Sequence, residues 1–119
     1  MFVPDADRVL VEQLGPEIRR HALFGPKGTN VNFAQRLGPS HLRVRTFERG
    51  VEGETLACGT GVTATALISA RLYGFPSPVK VQVRGGEELE ISFKDTGGKF
   101  TDVRLSGPAQ FVFEGRIEI

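Results

Sequence analysis

The sequence predicts an α+β domain in which an antiparallel or mixed β-sheet wraps around one central buried α-helix. Apolar and polar residues alternate in several short segments, which is the pattern of half-buried strands. One internal stretch, residues 61–73, is small and apolar nearly all round, which is typical of a helix buried on every side. The length of 119 residues suits a single domain, residues 1–119, with its own core.

The N-terminal part is predicted to contain the end of a strand, a short helix and a hairpin. Phe2 and Val3 have the character of a strand end, and a helix is expected at residues 16–21 because Pro16 suits a first helical turn. Residues 31–36 and 42–47 alternate in polarity on either side of the turn sequence Gly-Pro-Ser. These two segments predict an antiparallel hairpin.

The C-terminal part is predicted to be the central helix followed by more β structure. The helix at residues 61–73 should end at Gly74, since glycine and a following proline commonly terminate helices. Glycine-containing turns then separate further apolar segments, which we expect to be strands. These segments contain Val79, Val81 and Val83; Leu89, Ile91 and Phe93; Phe100, Val103 and Leu105; and Phe111, Val112, Phe113, Ile117 and Ile119.

Composition excludes several functional classes. The formal net charge is +1, which gives no support for nucleic-acid binding. Two small basic clusters are typical of a solvated face or a small-anion site: Arg19, Arg20 and His21, and Arg43, Arg45 and Arg49. The single cysteine can form no disulfide within the chain, and with only two histidines it offers too few ligands for a zinc site. These features predict a reducing, cytoplasmic location. Residues 56–73 are too polar to span a bilayer, so no membrane association is expected.

The best candidate for chemistry is Cys58, in the sequence ACGTG that leads into the predicted helix. The first amides of a helix lack intrahelical partners, and the helix dipole favours a negative charge there. Such a position favours the thiolate, which is both a nucleophile and a base, and Gly59 and Gly61 would let the backbone approach a carboxylate closely. A lone cysteine is also commonly a small buried apolar residue, and its position by itself does not decide between these interpretations.

Two further motifs supply weaker candidates. Arg49 could clamp a carboxylate and Glu48 could accept from an ammonium group, provided that the strand ends or bulges at Gly50. An exposed ion pair at a strand end is the ordinary alternative. Asn30 could hydrogen-bond a polar ligand, with Asn32 on the same face, although asparagine is also common where strands begin.

These motifs occur together in an order that resembles the diaminopimelate epimerase family. They read LGPEIRRHALF, GTNVNF, RVRTFERG and GETLACGTG, and the resemblance covers residues 2–119. It implies one half of a fold with two pseudo-symmetric domains, each a sheet around a central helix, with the active site between them. The chain then corresponds to the C-terminal domain, and the family's N-terminal domain is not in it.

The resemblance also implies a reaction and roles for individual residues. The family interconverts LL- and meso-diaminopimelate without a cofactor, on the route to lysine and peptidoglycan, with one cysteine from each domain. Cys58 would be a catalytic acid/base. Asn30, Glu48 and Arg49 would contact the amino-acid substrate, and Gly59 and Thr60 would donate backbone N–H groups to its α-carboxylate.

Two departures from the family pattern leave alternatives open. Only one of the two catalytic thiols is present, so the second must come from the missing domain or from a second copy in a homodimer. A stand-alone, non-catalytic domain that keeps the carboxylate socket is the other alternative. The segment ERGVEGETLAC is also one residue longer than the family's shorter form, which leaves the position of Glu52 open.

Overall fold

A computed structural model describes residues 1–119 and confirms the α+β prediction. One mixed six-stranded sheet packs against two α-helices. The elements in chain order are α1 (Val11–Arg19), β1 (Val31–Gly38), β2 (His41–Glu48), β3 (Gly53–Thr55), α2 (Gly59–Tyr73), β4 (Val79–Gln82), β5 (Glu88–Thr96) and β6 (Lys99–Ser106). No helix is long and apolar enough to cross a membrane.

The predicted hairpin forms one side of the sheet, with β1 as its outermost strand. β1 and β2 are antiparallel, with Val31 opposite Phe47. The other side of β2 pairs with β4 in parallel near its start and with β3 in antiparallel fashion near its end, and β5 and β6 extend the sheet beyond β4. A parallel bridge between Phe2 and Ala34 confirms the strand-like character of the N-terminus.

Helix α2 lies against the sheet with one face, and the expectation that it is buried on every side is wrong. Val62 and Ala66 belong to the main core together with Val44 and Val81. The opposite face is open, with Ile68 50% exposed and Leu72 62% exposed. The helix ends as predicted, because Gly74 takes the left-handed conformation at φ 67°.

Helix α1 begins five residues earlier than predicted, and the helix expected at residues 16–21 is therefore misplaced. Val11 is buried in a second core cluster with Phe33 and Phe47, so packing rather than Pro16 determines where the helix starts. Pro16 lies inside α1, where it leaves one carbonyl without its helical donor.

The expected strand at the C-terminus is absent. The last strand, β6, ends at Ser106, and residues 107–119 form neither helix nor strand. A segment rich in apolar residues forms a strand only if the edge of a neighbouring strand is available, and here the apolar side chains are exposed. They are Phe111, Val112, Phe113, Ile117 and Ile119.

Candidate active site

Cys58 lies at the N-terminus of α2, as the sequence predicts. It is the residue immediately before the helix, it has extended backbone angles, and it is 8% exposed. The Val62 N–H donates to the Cys58 carbonyl at 2.9 Å, so the N–H groups of Gly59, Thr60 and Gly61 precede the first helical hydrogen bond. No side chain caps this end. The helix therefore presents free donors and a partial positive charge beside the sulfur.

The Cys58 sulfur has polar neighbours. The Asn30 Nδ2 group donates to Sγ at 3.8 Å, and the Thr60 hydroxyl lies 3.5 Å from Sγ. Donors around a sulfur stabilise its anionic form more than its neutral form. The surroundings of Cys58 are thus polar on the side of the helix start and differ from those of a purely apolar core residue.

Asn30 also connects the cysteine to Arg49. Its Oδ1 atom accepts a hydrogen bond from the Arg49 backbone N–H at 2.8 Å. Asn30 directly precedes β1 and Arg49 directly follows β2, and antiparallel pairing places these two strand ends side by side. One amide side chain therefore bridges the Arg49 segment and the Cys58 sulfur.

A cleft of about 360 Å³ opens beside these residues. Asn30, Asn32, Arg49 and Thr60 line it together with Gly28, Thr29, Gly61 and Ala64. Asn30 and Asn32 thus face the same side, as predicted. A shallower groove shares Thr60 and Ala64 with the cleft and adds Gly59 to the same surface.

Arg49 has no acidic partner, unlike the other arginines of α1 and β2 and of the residues that follow them. It is exposed, lines the cleft and takes part in no ion pair. The other arginines of the two basic clusters are already paired with carboxylates: Arg19 and Arg20 with Glu52, Arg43 with Asp7, and Arg45 with Glu54. The Arg49 guanidinium is therefore available to an anion that enters the cleft.

Glu48 lies at the end of β2 and is half-buried, and its side chain does not line the cleft. Its carboxylate makes no hydrogen bond and no ion pair, while its backbone carbonyl accepts from the Glu52 N–H at 2.8 Å. The strand does end there, as the pairing of Glu48 and Arg49 in one site requires. The structure brings Arg49, Asn30, Thr60 and Cys58 together and leaves Glu48 beside them.

Gly61 has a role that sequence reasoning missed. Neither Gly59 nor Gly61 has a positive φ, because both are helical. A side chain at Gly61 would collide with the Asn32 amide, whose Oδ1 atom accepts from the Thr46 hydroxyl at 2.8 Å. The residue must be glycine so that the helix can approach β1. The glycine-threonine-glycine sequence was a signal for close approach, although not for the partner.

Comparisons with known proteins identify a family for almost the whole chain. The diaminopimelate epimerase family profile matches residues 1–112. Diaminopimelate epimerase of Aquifex aeolicus is 50% identical over 97% of this chain and 40% of the relative. The enzyme of Methanocella arvoryzae is 45% identical over 100% of this chain and 40% of the relative. The chain thus spans about two fifths of the length of these curated relatives.

A solved structure shows the same type of fold. The phenazine biosynthesis protein of the PhzF family from Bacillus anthracis superposes with a TM-score of 0.53 at 19% identity. The match covers 83% of this chain and 31% of that chain, and at this identity it concerns the fold only. The family resemblance carried by the motifs is confirmed by the profile and by the relatives: the chain belongs to the diaminopimelate epimerase family.

Proposed function

We propose that Cys58 is one of two acid/base thiols of an epimerase that interconverts LL- and meso-diaminopimelate without a cofactor. The observation that carries the proposal is the position of the sulfur. It lies at the start of α2, 3.8 Å from the Asn30 amide nitrogen, and Asn30 also lines the cleft that contains the unpaired Arg49. A thiol that has to stay reduced fits a cytoplasmic enzyme of lysine and peptidoglycan synthesis.

The cleft supplies the groups that an α-carboxylate needs. The free N–H groups of Gly59 and Thr60 donate to one end of the carboxylate, and the Arg49 guanidinium neutralises its charge. Glu48 lies beside the cleft and its carboxylate makes no hydrogen bond within the chain, so it is free to accept from the ammonium group at the edge of the site. Helix donors matter most when the α-carbon loses its proton, because negative charge then builds up on the carboxylate oxygens.

Two thiols carry out the proton transfer, one acting as the base and the other as the acid. The Cys58 thiolate takes the α-proton, and the electron pair of the broken C–H bond stays on the α-carbon and spreads onto the carboxylate. A thiol on the opposite face then protonates the carbon and becomes a thiolate. The stereocentre is inverted, and the two sulfurs have exchanged roles. In the reverse direction Cys58 delivers the proton.

The second thiol comes from a domain that covers the open face of α2. This chain has one cysteine, and it spans about two fifths of the length of its relatives. Ile68 and Leu72 form an exposed apolar face on the helix that carries the cleft. Sedimentation tests the choice of partner. A monomer at micromolar concentration supports a separate domain, whereas a dimer that Ile68→Glu dissociates would assign the second thiol to another copy.

Isotope exchange in heavy water tests the chemistry. The isolated chain with LL-diaminopimelate should take up deuterium at the α-carbon slowly, because only one face has an acid/base, and Cys58→Ser should abolish the uptake. Rapid uptake with epimerisation by a strict monomer would contradict the two-thiol mechanism. A chain that binds the amino acid but gives no exchange that depends on Cys58 would be a non-catalytic binding domain.

Ligand titration tests the carboxylate site separately. Nuclear magnetic resonance shifts of the Gly59 and Thr60 amides should report meso-diaminopimelate binding, and Arg49→Gln should weaken that binding. Arg104→Gln is the matched control, because Arg104 is also exposed and unpaired but lies on β6 outside the cleft. Equal affinities for the Arg49→Gln variant and the unaltered chain would remove Arg49 from the site.

A further inference from the structure

The loop that carries Arg49 is folded around the side chain of Glu52. The Glu52 N–H donates to the Glu48 carbonyl at 2.8 Å, and the Gly50 N–H donates to the Glu52 carboxylate at 3.3 Å. Glu52 has a φ of 58°, a left-handed conformation that residues with a side chain rarely adopt. The loop therefore depends on contacts of Glu52 to keep its shape.

The strongest of these contacts is with Arg19, the last residue of α1. The Arg19 Nε atom donates to Glu52 Oε2 at 2.6 Å, and the Arg19 side chain is only 15% exposed. Arg20 adds a longer contact of 3.4 Å to the other carboxylate oxygen. Partial burial favours the neutral carboxyl, but hydrogen bonds from Arg19 and Gly50 and the Arg19 charge outweigh it, so the pKa of Glu52 is lowered.

Arg19 also holds the segment on the other side of the cleft. Its backbone carbonyl accepts from the Thr29 N–H at 3.2 Å. Gly28 lies so close to Arg19 that a side chain at Gly28 would collide with this carbonyl and with the guanidinium. Arg19 therefore contacts the segments on both sides of the cleft. One of these segments ends at Asn30, and the other begins at Arg49.

We infer that the Arg19–Glu52 ion pair positions the two segments that carry Asn30 and Arg49, an inference that rests on the proposed function. Neither Arg19 nor Glu52 lines the cleft, so the pair acts through the residues it holds. The Arg49 N–H bonds to Asn30, and the same Asn30 side chain donates to the Cys58 sulfur. If the loop could move at Glu52, the hydrogen bond from Arg49 to Asn30 would weaken. The Asn30 amide would then be less fixed in position beside the sulfur.

Hydrogen exchange at the Arg49 backbone amide measures this positioning directly. Glu52→Gln keeps an acceptor for Gly50 but removes the charge, and Arg19→Met keeps the apolar stem and the backbone carbonyl. We expect either change to accelerate exchange at Arg49 about two- to fivefold, the effect of one partly exposed ion pair. The double variant should add nothing further, because either change already removes the interaction. The affinity for meso-diaminopimelate should fall by a similar factor.

Arg43→Met is the matched control. Its side chain is also 15% exposed and pairs with Asp7 at 2.6 Å, but it does not line the cleft. Unchanged Arg49 exchange in folded Glu52→Gln, or equal acceleration by Arg43→Met, would overturn the positioning role. Failure of the unaltered chain to bind meso-diaminopimelate would instead remove the proposed function, so the two failures are distinguishable.

Discussion

Replacing Asn30 by aspartate should strongly disfavour the thiolate form of Cys58. Asn30 uses Oδ1 to accept from the Arg49 N–H and Nδ2 to donate to the sulfur. Aspartate has nearly the same shape and still accepts from Arg49. It replaces the donor beside the sulfur with an oxygen that carries negative charge.

The size of the effect follows from the distance of 3.8 Å between Asn30 Nδ2 and the sulfur. Two unit charges at that separation repel each other by about 4 kcal/mol at an effective dielectric constant of about 20, and by about 1 kcal/mol at that of bulk water. The thiolate fraction should therefore fall between about sixfold and about a thousandfold. Because Asn30 is half-buried, we expect a value between these limits.

Alkylation of Cys58 by iodoacetamide measures the thiolate fraction, because the thiolate is the nucleophile. The rate should be followed at a pH where the thiol is partly ionised. Gln35→Glu is the control, because it adds the same charge on β1, where the Gln35 side-chain oxygen only accepts from the Ala6 N–H. If Asn30→Asp reacts as fast as the unaltered chain, the Asn30 contact does not influence the sulfur.

Three further changes test the framework of the site by urea unfolding. Gly61→Ala should destabilise the chain by up to about 2 kcal/mol, since overpacking against Asn32 costs about 1–3 kcal/mol and the gain in helix propensity offsets roughly 1 kcal/mol; a more stable variant would contradict this. Glu54→Gln should cost about 1–3 kcal/mol, because it leaves the largely buried Arg45 guanidinium without its charged partner, and an unchanged midpoint would exclude that role. The pKa of Glu52 is lowered, so the stability that it contributes is present above its ordinary value of 4.5 and is lost as the pH falls through its folded value. The difference between Glu52→Gln and the unaltered chain at pH 7 should therefore shrink as the pH is lowered below the ordinary value, and a constant difference would refute the ion pair.

The parts of the site that sequence predicts are those set by neighbours along the chain. The hairpin follows from alternation around one turn, and the position of Cys58 follows from the start of one helix. Once the hairpin is known, antiparallel pairing brings the ends at Asn30 and Arg49 together. Each of these inferences uses a short stretch of residues and one local rule.

Other features depend on contacts that no local pattern records. The start of α1 is set by packing of Val11 against Phe33 and Phe47, which overrides the preference of Pro16 for a first turn. The open face of α2 also carries apolar residues, among them Ile68 and Leu72, so composition cannot tell which face is covered. The apolar segment near the C-terminus has no strand partner in this chain.

The amino-acid sequence by itself determined the α+β class, the β1–β2 hairpin and a cysteine at the beginning of a helix, because periodicity, turns and helix ends are local properties. The tertiary structure decided that Arg49 lines the cleft without an acidic partner, that Gly61 must accommodate Asn32 and that Arg19 meets Glu52. Arg19 and Glu52 are 33 residues apart in the chain. Contacts over such separations arise only when the whole sheet and both helices pack together, and they decide which charges are neutralised and which remain for a ligand.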